Sequence, residues 1–215
     1  MSPRLDLRLL GDFRAEVYGK PVPVDAWRRG RAATLVKLLS LAARRRLSRD
    51  EVIEALWPGV APDAGGANVR KAVHFARRAL GADDAIGVHG GTIELWPKGS
   101  ISTDVEWFEA ASTKAFAARD GDAFRLAADL YSGDLLPDDR SEPSFEERRR
   151  RLHETYVGVL RGAAMWTRLL EIDPTDEEAH RELMRSLLDS GNRQDRKSTR
   201  LNSSHSDRSR MPSSA

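Results

Sequence analysis

The feature that most constrains the fold is a change of hydrophobic period along the N-terminal half of the chain. Three leucines within residues 5–9 alternate with polar residues, which is the period of a half-buried strand. Within residues 29–80 apolar residues recur at helical spacing instead. Residues 86–96 return to the strand period around Gly90 and Gly91, a pair typical of a hairpin tip. The order sheet, helices, hairpin is therefore expected.

Three helices are expected between the two strand regions, at residues 31–43, 48–57 and 67–80. The second begins with a capping box, because Glu51 follows Ser48 by three positions. The third is followed by Gly81, at the position where helices commonly end on glycine. We expect residues 62–66 to be a loop and residues 97–102 to be a linker. For residues 1–99 this pattern predicts an α+β winged helix-turn-helix with an N-terminal antiparallel sheet of three short strands between residues 5 and 24.

The third helix has two chemically distinct faces. At 100° per residue its aliphatic side chains fall within one arc: Val69, Val73, Ala76 and Leu80. The opposite side has four cations, one imidazole and no acid. Such a face suits the major groove of DNA, because Arg can donate to guanine O6 and N7 while Lys binds phosphate. We expect the base-facing residues to be Arg70, His74 and Arg77, and the backbone contacts of this helix to be Lys71, Arg78 and Asn68. The alternative is a basic face that is merely solvated.

Further candidates for phosphate contacts flank the helices. One cluster, Arg28, Arg29 and Arg31, precedes the first helix, and His89 lies near the hairpin tip. An exposed loop histidine without a partner is an equally good interpretation of His89. The run at residues 44–46 follows the first helix, where arginines either bind phosphate or interact favourably with the helix dipole. Both interpretations of that run stay open.

Charge is divided unevenly along the chain. Residues 1–99 hold 17 Lys and Arg against 11 Asp and Glu, a net +6, whereas residues 100–192 hold 12 against 20, a net −8. A basic half joined to an acidic half favours two domains with different partners, and the basic one suits a polyanion. The acidic half has helical spacing with recurring turns, which favours an all-α repeat domain. Residues 193–215 are rich in Ser, Arg and Asn, and we expect them to be disordered.

Several classes of function lack support in the sequence. There is no cysteine, which excludes disulfides and thiolate zinc sites. The five histidines do not have the HExxH spacing, and no GxxxxGK[ST] phosphate-binding motif is present. We therefore expect no enzyme activity, metal or cofactor. The N-terminus lacks the apolar core of a signal peptide and no apolar run is long enough to span a bilayer, so a cytoplasmic protein without membrane contact is expected.

Blocks of sequence in both halves resemble those of one family. The first half contains LLG at 9–11 with Phe13, EALWPG at 54–59 and NVRKAVHFARRALG at 68–81. The second half contains STDVEWFEAA at 102–111, LYSGDLLPDD at 130–139, FEERRRRLHETY at 145–156 and LLEIDPTDEEAHRELMRSLLDSGNRQD at 169–195. Their order resembles that of SARP-class bacterial transcriptional regulators, in which an OmpR-type winged helix precedes a bacterial transcriptional activator domain. The resemblance implies tetratricopeptide-like helix pairs in residues 100–192, binding to promoters, often at direct repeats, and recruitment of RNA polymerase.

The chain departs from that family at two places. Residues 157–168 look too short for the end of one helix, a turn and the start of another, so a helix pair is expected to be fused or truncated. Residues 196–215 resemble translated adapter sequence, so we expect the natural protein to continue past Asp195 and its activator domain to be truncated here.

The functional expectation is a sequence-specific DNA-binding transcription regulator, in particular an activator that binds promoter repeats in double-stranded DNA and recruits RNA polymerase. A homodimer on DNA is left open. The alternative from a different class is a helical-repeat scaffold for protein interactions without specific DNA binding. That alternative explains the helical repeats but leaves the single-sign face of the third helix as a coincidence.

Overall fold

The computed structural model describes residues 4–29 and 31–189. A region of sheets and helices is followed by a region of helices only, as the sequence predicted. We call residues 4–103 the N-terminal part, without residue 30, and residues 104–189 the helical part. The expectation of a disordered, foreign tail at residues 193–215 concerns residues outside those described.

The first sheet combines the start of the N-terminal part with its end. Its strands are β1 (Arg4–Arg8), β2 (Arg14–Val17), β3 (Lys20–Pro21) and β7 (Ser100–Thr103), in the order β3-β2-β1-β7. The first three pair antiparallel, but β7 lies parallel to β1, with Ile101 opposite Leu5. The expectation of a purely antiparallel sheet, and of a linker at residues 97–102, is therefore wrong. A strand of four residues has too little alternation to be recognised before its distant partner is known.

Three helices follow β3 and enclose the apolar core of the N-terminal part. They are α1 (Ala32–Leu41), α2 (Arg49–Leu56) and α3 (Pro62–Leu80). The capping box of α2 is confirmed, because the Glu51 amide donates to Ser48 Oγ at 3.1 Å and the Ser48 amide donates to Glu51 Oε2 at 2.7 Å. These hydrogen bonds lower the pKa of Glu51. Gly81 ends α3 in the left-handed region, at φ 65°.

The third helix begins five residues earlier than its sequence indicates, within the expected loop at residues 62–66. Gly65 and Gly66 weaken a helix intrinsically, which is why the sequence pattern favoured a loop. Their value lies in close packing on α2, since a Cβ on Gly65 would lie 2.7 Å from Ile53 Cγ2. Tertiary contact between α2 and α3 thus stabilises a turn of helix that local propensity does not.

A hairpin follows α3, as predicted. Its strands are β5 (Ile86–His89) and β6 (Thr92–Leu95), and the linking residues Gly90 and Gly91 both have positive φ, at 55° and 82°. A third short strand, β4 (Arg46–Ser48), pairs with β6 and gives the sheet order β4-β6-β5. Because β4 leads directly into α2, this pairing fixes the start of α2 next to the hairpin.

The helical part packs each helix against the next. Its elements are α4 (Asp104–Ala118), α5 (Gly121–Leu130), α6 (Glu146–Gly162), α7 (Trp166–Ile172) and a last helical segment at 177–189. Tyr131 and Tyr156 stack at its centre, with ring centroids 4.0 Å apart. The expected fusion of helices within residues 157–168 is wrong. Ala164 adopts a φ of 54°, and this lets α6 stop and α7 start within three residues.

The N-terminal part and the helical part are joined by hydrogen bonds that involve the backbone. Asp104, the first residue of α4, accepts hydrogen bonds from the amides of Leu9 and Leu10 at 2.9–3.0 Å, and Leu10 forms a β-bridge with Leu135. Burial raises the pKa of Asp104 despite these donors. A fragment ending at residue 99 would lack both β7 and this anchor. Binding by the N-terminal part is therefore best measured with the whole chain.

None of the described helices is both long and apolar enough to cross a membrane. Within the same described residues, no cluster of three or more His, Asp or Glu side chains is arranged to hold a metal ion.

Candidate nucleic-acid interface

The two faces of α3 separate as the sequence predicted. Its aliphatic residues are buried in the core: Val69, Val73, Ala76 and Leu80. Four side chains on the other face are exposed to solvent: Arg70, Lys71, His74 and Arg78. Because α3 starts at Pro62, one acid, Asp63, joins the first turn on this side. Negative charge there is favourable for the helix dipole and lies well before the cationic residues.

A groove of about 400 Å³ separates α3 from the hairpin. The rim on the α3 side includes Arg70, His74 and Arg77, the three residues predicted to face bases. Val88, which is 48% exposed, belongs to the opposite wall. The structure therefore brings the predicted base-facing residues together along one edge of a concave surface.

Arg77 differs from its two neighbours because its guanidinium already has a partner. Its Nε and Nη2 donate to the backbone oxygen of Ile86 at 3.0 and 2.6 Å. This bond connects α3 to β5 and so holds the hairpin against the helix. Nη1 is not used in these bonds, and Arg77 remains one of the residues that line the groove.

The residues predicted to bind the DNA backbone are distributed over several surfaces. Lys71 and Arg78 are exposed on α3, whereas Asn68 is half-buried on a different side of the helix. His89 is exposed at the end of β5. Arg78 also lines a second cleft of about 390 Å³, which it shares with Arg29.

Two arginines of the 28–31 cluster are engaged in ion pairs. Arg28 contacts Asp25 at 2.8 Å, and Arg31 contacts Glu142 of the helical part at 2.5 Å. Arg31 therefore contributes to the contact between the two parts, and it would have to leave Glu142 to reach a phosphate. This pairing could not be predicted from the sequence, because Glu142 is more than a hundred positions away from Arg31.

Two of the three arginines at 44–46 have specific partners as well. Arg45 pairs with Glu106 of α4, and Arg46 pairs with Glu94 of β6 at 2.8 Å. The sequence also did not indicate Arg49, which begins α2 and lines the groove beside Arg70. Only the approach of α2 to α3 at the paired glycines brings Arg49 to this surface.

Comparison with known proteins supports the fold at a coarse level. No protein-family model and no curated protein sequence matches the chain. A solved structure, Mycobacterium tuberculosis EmbR in complex with a low affinity phosphopeptide, superposes with a TM-score of 0.58 at 22% sequence identity. The match covers 90% of this chain but 57% of that chain, so the present chain spans little more than half of its length. This likeness shows a fold shared with EmbR, in which a sheet-containing N-terminal region is followed by helices.

Proposed function

We propose that the chain is a DNA-binding transcription regulator whose N-terminal part is a winged helix-turn-helix. In this proposal α2 and α3 form the helix-turn-helix, α3 enters the major groove, and the β5–β6 hairpin is the wing. The observation that carries it is the exposed face of α3. Arg70, Lys71 and Arg78 form no ion pair within the described part of the chain. Adjacent cations without carboxylate partners favour binding to a polyanion.

The cations are proposed to divide by position. Arg70, His74 and Arg77 border the groove and are assigned to base edges. Lys71 and Arg78 lie further round the helix and are assigned to phosphates together with the outlying candidates Asn68, Arg28, Arg29, Arg31 and His89. Arg31 is the weakest member of this group, because its ion pair with Glu142 competes with any phosphate.

The helical part is proposed to contact protein rather than DNA. Its negative charge would repel phosphate, while its packed helices offer a firm surface for a partner. The resemblance to SARP-class regulators favours RNA polymerase, or a second protomer on an adjacent repeat, as that partner. In this proposal the protein acts as an activator in the cytoplasm.

The test measures binding of the full chain to duplex DNA as a function of salt. We expect the affinity to fall steeply as salt rises, because each neutralised phosphate releases counterions. Selection from random duplexes should then yield a preferred sequence. Arg125→Ala is the matched control for substitutions on α3, since Arg125 is an exposed helical arginine paired with Asp122 in the helical part. If the full chain fails to bind duplex DNA even at low salt, the protein-interaction scaffold becomes the better explanation.

A further inference from the structure

We propose that Lys37 and Asp139 are positioning residues through which the helical part sets the orientation of α3. The pair joins α1 to the α5–α6 connector, which we define as residues 131–145. The proposal deepens the DNA-binding function and rests on it for one of its two readouts. Neither residue is assigned to DNA, so the effect would act through the helices that support α3.

Lys37 is an unusual core residue. Its side chain is 8% exposed, although it belongs to α1, the helix that packs against α3. The ammonium contacts Asp139 Oδ2 at 2.6 Å and lies 4.6 Å from the centre of the Phe13 ring. Asp139 is also largely buried, at 17% exposure. One side chain of α1 thus contacts both the segment after β1 and the helical part.

The connector is also held by hydrogen bonds from α6. Arg149 of α6 donates to the backbone oxygens of Leu135 and Asp139 at 2.9 and 3.3 Å. Further along the connector, Ser144 Oγ donates to the oxygen of Ala55 near the end of α2 at 3.0 Å. The connector therefore links α6 to both helices on which α3 packs.

A buried ion pair contributes little net stability, because desolvation of both charges offsets their attraction. It does restrict geometry, since any shift that separates the pair leaves an unpaired charge in the core. Lys37 and Asp139 therefore favour one arrangement of α1 on the connector. Because α1 packs on α3, that arrangement also defines the orientation in which α3 would meet DNA.

Asp139→Asn in the full chain tests the proposal, with Asp138→Asn as matched control. Both substitutions remove one negative charge from the same turn, but Asp138 is exposed. Simple electrostatics predicts equal or tighter DNA binding for both variants. The positioning role predicts the opposite sign for Asp139→Asn, a loss of at least about fivefold in affinity with an unchanged salt dependence. Amide exchange in α1 and α3 should also become faster in the DNA-free protein.

Affinities are compared at a temperature where circular dichroism shows every variant fully folded, so a loss of global stability alone would not change them. If Asp139→Asn does not fold, Asp139→Glu decides the question, because it keeps the charge but displaces the carboxylate that meets Lys37. A loss of about twofold in affinity is expected, and wild-type affinity would overturn the proposal. Wild-type affinity and exchange in Asp139→Asn would overturn the proposal. If the wild-type chain does not bind DNA, the proposed function fails, and the exchange of α1 and α3 relative to Asp138→Asn still decides this inference.

Discussion

The N-terminal part carries two kinds of charged surface, and they differ in how the charges are satisfied. Toward the helical part three cations each meet a carboxylate: the pairs are Lys37–Asp139, Arg31–Glu142 and Arg45–Glu106. On the outer face of α3, Arg70, Lys71 and Arg78 form no ion pair within the described residues. Arginine content alone therefore does not identify a nucleic-acid surface. The useful signal is a cluster of cations that the protein's own acids leave unpaired.

The largest effect on stability is expected at Asp104, the carboxylate that joins the N-terminal part to the helical part. Asp104→Ala removes the acceptor for the amides of Leu9, Leu10 and Val105. Each buried donor left without a partner costs about 1–3 kcal/mol, and partial access of water reduces the sum. We expect the free energy of unfolding to fall by about 2–4 kcal/mol in urea denaturation. Asp12→Ala, at an exposed acid, is the control and should change it by less than about 0.5 kcal/mol. An equally small effect of Asp104→Ala would show that the two parts do not depend on this anchor.

Local signals in the sequence predicted the elements that have a local cause. The capping box at Ser48 and Glu51 and the glycine pair at the hairpin tip each act within a few residues, and both are confirmed. Strand β7 depends on pairing with β1 at the opposite end of the N-terminal part, so four residues could not reveal it. The first turn of α3 depends on contact with α2 and was missed for the same reason.

In the candidate site, too, local features could be predicted from the sequence and contacts with distant residues could not. Helical periodicity predicted which α3 side chains share a face, because that depends only on the helix itself. It could not reveal that Arg77 donates to Ile86, or that Arg31 pairs with Glu142, because these partners lie on other elements. Periodicity identifies a face of the helix. Whether a cation is already bound by another part of the protein depends on the tertiary structure.

The next largest effect is expected for DNA binding by Arg70, on the outer face of α3. Arg70→Ala should weaken binding to the preferred sequence by about 1–3 kcal/mol and relax the preference at one base pair, because a forked donor to guanine is lost. Binding-site selection with the variant, together with fluorescence anisotropy, measures both effects. Arg125→Ala loses the same charge elsewhere and should leave the preference unchanged. A variant at Arg70 with wild-type preference would move this residue to the phosphate contacts.

Arg77 lies between the two kinds of surface, since its guanidinium has an internal partner and still borders the groove. Arg77→Ala should relax the sequence preference and lower the affinity by about 1–2 kcal/mol, the range of one base contact. It should also speed amide exchange in β5, because the Ile86 oxygen loses both hydrogen bonds. Faster exchange with an unchanged preference would remove Arg77 from the base-facing residues and leave it as an anchor for the hairpin.

The smallest effect is expected from Lys71, whose proposed contact is a phosphate. Lys71→Ala should weaken binding to all sequences about equally, by no more than about 1 kcal/mol, because an exposed ion pair is largely screened by solvent. The slope of log affinity against log salt should fall by about 1, since one phosphate fewer is neutralised. Lys114→Ala provides the control, because Lys114 is an exposed lysine on α4, outside the proposed interface. A salt slope that changes equally in both variants would mean that DNA affinity depends only on the overall charge of the protein. A change confined to Lys71→Ala would identify the unpaired face of α3 as the surface that binds.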